Sequence, residues 1–182
     1  MADRWSEEGP DGAGVLPIVP VAPTLLDFAT FYRRELPAIV TLAAAIAGTE
    51  RAEEIAQEAL LRAHHEWARI QRYDKPGAWV RRVAINLATS TRRRLTSEAR
   101  ALARVAARRN LDVPPPEIDG FWALVRQLPD RQAAAVALHY LEDLSIADMA
   151  IVLDCAEGTA KAHLHKARQT LASVLHDQEP DR

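Results

Sequence analysis

Apolar residues recur every three to four positions through six stretches of this chain, and that spacing predicts an all-α fold. The most regular pattern lies between Leu128 and Leu175. Asp130 opens a helix with Ala133, Ala134, Ala137, Leu138 and Leu141 on one face. Leu144-Ser145 breaks the pattern, Ser145 is a good N-cap, and Asp148 comes close to completing a capping box. A short helix follows with Ile146, Met149, Ala150 and Leu153 inward. Asp154 to Gly158 makes a turn, and a longer helix then carries the stripe Ala160, Leu164, Ala167, Leu171 and Leu175. A short helix, a tight turn and a longer helix are the order of a helix-turn-helix.

The upstream pattern predicts three more helices. Leu25 to Gly48 keeps Phe28, Phe31, Tyr32, Leu36, Ile39, Leu42 and Ala43 in register, with Pro37 placed to kink or split the helix and Gly48 as its C-cap. Its aromatic stripe reads as core rather than as a binding box. Glu50 to Gln71 forms a second helix, with Ile55, Ala59, Leu60, Ala63, Trp67 and Ile70 inward. Glu50, Glu53 and Glu54 crowd its first turn, where the helix dipole favours acids. After a loop at Arg72 to Lys75, Pro76 starts a third helix through Arg94, with Trp79 or Val80, Val83, Ala84 and Leu87 inward. Leu95, Ala99, Leu102 and Ala106 keep a weak helical spacing beyond it, and the prolines at 114–116 end it.

These elements divide into two small helical domains, residues 25–95 and 120–176, joined by a basic, proline-containing linker at 96–119. Residues 1–24, with four prolines and three glycines, read as a disordered tail, and 177–182 as a second tail. The run Val15 to Val21 is unusually apolar for a tail. It reads as a loosely packed arm, with docking on the folded body or on a partner as the alternative.

Charge sharpens the picture. The chain has 182 residues and a net charge of −2, but the distribution is uneven. Residues 1–58 sum to −6, residues 69–109 to +10 and residues 110–182 to −6. A cationic middle between acidic flanks suits contact with DNA through the middle, and the flanks suit a protein partner. The single cysteine, Cys155, excludes an intramolecular disulfide framework and suits a reducing compartment. No apolar run is long enough to span a bilayer, and the acidic N-terminus is unlike a signal peptide, so a cytoplasmic protein without membrane insertion is expected.

Candidate chemistry is binding chemistry. On the last long helix Lys161, His165 and Arg168 align at i, i+4 and i+7, opposite the apolar stripe. Such a face can neutralise phosphates in a major groove, and it can equally be the solvated side of a small bundle. On the helix after Pro76, arginines flank Trp79. Cations with a nearby indole suit single-stranded DNA, while a buried Trp79 between arginine-rich ends is the other reading. No Walker loop, GxGxxG or HExxH is present, and His163 and His165 point about 200° apart on a helix. The chain therefore reads as a non-enzyme without metal or cofactor.

The segments Leu128-Pro129-Asp130-Arg131-Gln132, His139 to Ser145, Gly158-Thr159-Ala160-Lys161 and Leu164 to Arg168 resemble the C-terminal domain of bacterial RNA polymerase sigma factors of the extracytoplasmic-function (ECF) group. Two upstream segments are similar to the same family: Glu54 to Leu60, and Ala78-Trp79-Val80 followed by Ala84 to Ala88. The resemblance implies a promoter-specificity subunit that binds core RNA polymerase, reads −35 and −10 elements and assists melting. It implies that Glu54, Gln57, Glu58, Leu61 and Arg62 meet the polymerase, chiefly the clamp helices of β′, with the β subunit also in contact. It implies that Tyr73, Lys75, Trp79, Arg81, Arg82, Asn86, Ser90 and Arg93 meet melted −10 DNA. Double-stranded −35 DNA falls to Thr159, Lys161, Ala162, His163, His165, Lys166 and Arg168. An anti-sigma factor is a common partner in the family.

The chain departs from the family in places. Asp154, Ala156 and Glu157 stand where a glycine and a capping residue are usual, and Ala162 and His163 where a small polar residue and an arginine are frequent. Ser90 occupies a common aspartate position. These changes thin the basic face and keep two other readings open: a stand-alone helix-turn-helix regulator, or a sigma-like chain that only titrates partners.

Overall fold

A computed structural model of the chain describes residues 27–108 and 120–177. The expected tail at 1–24, residues 178–182 of the tail expected at 177–182, and the proline run at 114–116 lie outside the described residues; Asp177 is instead the last residue of the final helix. The described residues are helical, with no strand among them.

Asp27 opens α1 (Phe28–Ala47) by accepting a hydrogen bond from the Thr30 amide at 3.3 Å. Pro37 lies inside α1 without splitting it. Gly48, at φ 94°, closes the helix in a conformation that a side chain would strain. The single helix expected at 50–71 comes as a 3₁₀ turn (Thr49–Arg51), α2 (Ala52–His65) and one turn of α3 (Trp67–Ile70). The break at Glu66 lets Trp67 pack on α1, with its ring 4.7 Å from Phe31 and 5.3 Å from Phe28.

Helix α4 (Pro76–Arg108) is the longest described helix, about 50 Å at 1.5 Å per residue. It runs well past the domain boundary expected at residue 95, so the first part of the linker is helix. Arginine, alanine and leucine are strong helix formers, and they sustain it where residues 96–104 are all exposed.

The second half contains α5 (Gly120–Val125), α6 (Asp130–Tyr140), α7 (Ile146–Leu153) and α8 (Glu157–Asp177). Ser145 caps α7 as expected, accepting from the Asp148 amide at 3.1 Å. Asp154 takes the left-handed conformation that ends α7, which aspartate tolerates better than most residues. The stripe on α8 buries Ala160, Leu164, Ala167 and Leu171, whereas Leu175 is exposed and Val174 turns inward in its place.

Two clusters form the core. Phe31, Ile39, Leu60, Ile70 and Val80 join α1, α2, α3 and α4. Leu42 and Ile46 of α1 and Ile85 of α4 belong instead to a cluster that continues through Val125, Leu138, Met149, Leu153 and Leu164. The two halves therefore share one apolar interior. This removes the need for either small half to bury a sufficient core alone.

Candidate nucleic-acid and partner interfaces

The outer face of α8 is built as the sequence pattern requires. Ala160, Leu164 and Ala167 face inward, which leaves Thr159, Lys161, Ala162, His165, Lys166 and Arg168 exposed. His163 is half-buried. Burial pushes its pKa below the ordinary histidine value, and the nearby Arg131 and Lys166 charges push it the same way. Ala156 offers no side-chain cap, and its carbonyl accepts from the Thr159 and Ala160 amides at 2.9 and 3.0 Å, with Glu157 as the acid in the first turn. Arg168 leans over Tyr140 of α6: its guanidinium lies 5.5 Å from the ring centre, and its Nε donates to the phenol oxygen at 2.9 Å.

Helix α4 divides its basic residues between two environments. Tyr73, Lys75, Trp79 and Arg82 line a cavity of about 500 Å³, closed on one side by Ile151 of α7. Asn86, Ser90 and Arg93 line a neighbouring cavity of about 310 Å³ with Asp130 and Arg131. Arg81 joins neither. It is directed instead to Glu35 of α1 at 2.7 Å and to Glu142 at 2.6 Å, in a largely buried ion triad. Gly77 makes room for this arrangement, because a Cβ there would sit 2.6 Å from Arg81 Nη1.

The same helix grips the second half at several further points. Arg82 donates to the Ile151 and Val152 carbonyls at 2.6 and 3.1 Å, a cation at the C-terminal end of α7 where the dipole favours it. Lys75 pairs with Asp148, which holds that carboxyl below its ordinary range, and the Ser145 hydroxyl adds to the effect. Arg92 donates to the Arg126 carbonyl at 3.0 Å and pairs with Asp130, which also holds Arg93. The cationic middle of the chain thus meets acids and carbonyls of its own C-terminal half.

The outer face of α2 gathers the third group. Glu54, Gln57, Glu58, Leu61 and Arg62 line one groove of about 830 Å³, together with Phe28, Tyr32, Leu60 and His64. Leu61 is 50% exposed, unusual for a leucine in a chain that buries most of its aliphatic residues.

Comparison with known proteins places the chain in a family. The sigma-70 region 2 family model matches residues 31–98, and the sigma-70 region 4 model matches residues 119–171. The ECF RNA polymerase sigma factor SigW of Bacillus subtilis is 28% identical over 152 residues, which cover 72% of this chain and 79% of SigW. SigM of Mycobacterium tuberculosis, also an ECF sigma factor, is 32% identical over 136 residues, 70% of this chain and 65% of SigM. This chain belongs to the ECF sigma factors. The fold agrees with that of the sigma factor RpoE solved in complex with the anti-sigma factor NepR from Bartonella quintana: TM-score 0.57 at 21% identity, over 82% of this chain and 97% of that one.

In this sigma factor, region 2 corresponds to α1 through most of α4, and region 4 to α5 through α8. Sequence reasoning missed Glu35, Arg92, Asp130, Glu142 and Tyr140, each of which acts across a separation of 28 residues or more. Local pattern carries no signal for such contacts. A charged Glu35 inside the apolar register of α1 was the one visible anomaly. No group of His, Cys, Asp and Glu among the described residues is placed to hold a metal ion, and no described helix is long and apolar enough to cross a membrane.

Proposed function

We infer that this sigma factor, which directs RNA polymerase to promoters, uses its three surfaces for three separate contacts. The α2 groove takes the β′ clamp helices, with Leu61 entering an apolar site and Gln57 and Glu58 bonding around it. The cavity walled by Tyr73, Lys75, Trp79 and Arg82 takes −10 DNA, since an indole between cations can stack an unpaired base and neutralise its phosphate. Asn86, Ser90 and Arg93 extend that track. The exposed face of α8, from Thr159 to Arg168, enters the −35 major groove. An anti-sigma factor is a further partner, as it is for RpoE in the Bartonella quintana complex.

The observation that carries this reading is the placement of two basic, groove-fitting surfaces on one chain, with a separate exposed apolar-acidic face on α2. Promoter geometry adds a requirement. Sites named −35 and −10 lie about 25 base pairs apart, roughly 85 Å of duplex at 3.4 Å per step. A compact folded body of 182 residues has a radius of gyration of about 16 Å. The halves must part for both elements to be bound at once, and parting them frees Lys75, Arg82 and Arg93 from Asp148, the end of α7 and Asp130.

The test is transcription in vitro with the purified chain, core RNA polymerase and a promoter library. Start sites that share −35 and −10 motifs are the expected result. Binding to core with no initiation at any sequence would instead favour a chain that only titrates polymerase.

A further inference from the structure

The groove on α2 has apolar walls, and its charges are already paired. Half-exposed Leu61 and partly buried Phe28 and Tyr32 supply its apolar lining, with the His64 ring 4.7 Å from that of Phe28. Arg62 holds Glu58 at 2.7 Å, and Arg51 holds Glu54 at 2.8 Å. A fitting occupant carries no charge, packs apolar bulk on aromatic faces and offers carbonyls to the Tyr32 hydroxyl and the Gln57 amide. A proline-rich strand in polyproline II conformation has these properties, because its backbone makes no internal hydrogen bonds and its prolines dock in aromatic-lined grooves.

The chain supplies such a segment next to the groove. No Asp, Glu, Lys or Arg occurs from Gly12 to Leu26. Pro17, Pro20 and Pro23 are three apart, which aligns them along one edge of a polyproline II helix. Asp27, where the described chain begins, has φ −62° and ψ 137°, within the polyproline II region, and the next residue, Phe28, is already a wall of the groove. The dimensions agree. The groove follows α2 from Glu54 to His64, about 15 Å, and Pro17 to Pro23 spans about 20 Å as polyproline II. Thr24 to Asp27 can extend about 13 Å, enough to turn the segment in at the His64 end.

We propose that residues Pro17 to Pro23 dock in this groove as a polyproline II strand and cover Gln57 and Leu61. The sigma factor thereby masks its own partner-binding face. The docking rests on the groove and the segment alone; its consequence rests on the polymerase-binding reading of α2.

A nitroxide at Val19→Cys, in a Cys155→Ser chain, tests the docking by NMR line broadening. Docking broadens the Tyr32, Gln57 and Leu61 signals well beyond the level in the same labelled chain carrying Pro17→Gly, Pro20→Gly and Pro23→Gly, where only the tether acts. Equal broadening in the two chains overturns the proposal. Broadening that passes from a labelled copy to an isotope-labelled second copy overturns its intramolecular form. The unlabelled natural and triple-glycine chains are then titrated with core RNA polymerase. A groove filled nine-tenths of the time weakens core binding about tenfold, and the glycine chain regains it. Selective broadening with equal core affinities upholds the docking and instead overturns the polymerase-binding reading of α2.

Discussion

Arg81 of α4 bridges the two halves of the molecule to Glu142, with its Nη2 and Nε 2.6 and 2.7 Å from one carboxylate oxygen, while its Nη1 stays 2.7 Å from Glu35. Burial opposes the Arg81 charge, and the two carboxylates together outweigh it, so the pKa is raised above its already high ordinary value. The other oxygen of Glu142 is buried with no hydrogen-bond partner among the described residues. Leaving such an atom unpaired costs about 1–3 kcal/mol, so the bridge is strong in charge and incomplete in hydrogen bonding.

Removing either side of this bridge has different consequences. Arg81→Ala strands two buried carboxylates and is expected to cost about 3–5 kcal/mol of stability, read as a lower urea midpoint. Glu142→Gln keeps the Arg81–Glu35 pair and is expected to cost clearly less, while loosening the halves. Small-angle scattering checks this through a larger radius of gyration. Equal losses with an unchanged radius would show that the bridge does not set the arrangement of the halves.

Leu61 separates binding from folding. Because it is half-exposed, Leu61→Ala is expected to change the unfolding free energy by less than about 0.5 kcal/mol. As an apolar anchor in the polymerase contact, its loss should weaken core binding about tenfold or more, near 1.4 kcal/mol. Titration of core enzyme by fluorescence anisotropy, beside a urea curve, reads both numbers. Unimpaired core binding would remove α2 as the contact.

The α8 face should announce itself through salt. Lys161→Ala and Arg168→Ala are each expected to weaken −35 DNA binding across sequences and to lower the salt slope by about one. Tyr140→Phe keeps the ring beneath Arg168 but removes the oxygen that fixes its Nε. It should produce a smaller loss of the same kind. A slope unchanged in Lys161→Ala would mean that this side chain contacts no phosphate.

His163 sets a pH dependence. Its folded pKa is lowered, first by burial and then by Arg131 and Lys166, so the fold favours the neutral ring. Stability from this group is complete above the unfolded pKa, about 6.5, and is lost as pH falls from there through the folded pKa. His163→Gln should therefore close part of the gap between urea midpoints at pH 7.5 and pH 5.5. An identical gap in both chains would show that the half-buried ring does not titrate against the fold.

What the residues determine by themselves is what depends on neighbours three and four positions away. Helix identity, the Ser145 cap, the helix-turn-helix order and the buried stripe of α8 all follow from that short-range register. So does the shared face of Gln57, Glu58 and Leu61, because one helix places them. The fate of the arginines did not follow from it. Charge counting assigned the basic middle to DNA and the acidic flanks to a partner, yet Arg81, Arg82 and Arg92 meet Glu142, the end of α7 and Asp130 of the same chain. Likewise, register offered Trp79 and Val80 equally for the core, and the structure buries Val80 while Trp79 lines the cavity beside Arg82. Tertiary structure decided these points because a long cationic side chain is satisfied by whichever carboxylate or helix end the fold brings within reach. That proximity spans 34 to 70 residues of sequence, far beyond any local pattern.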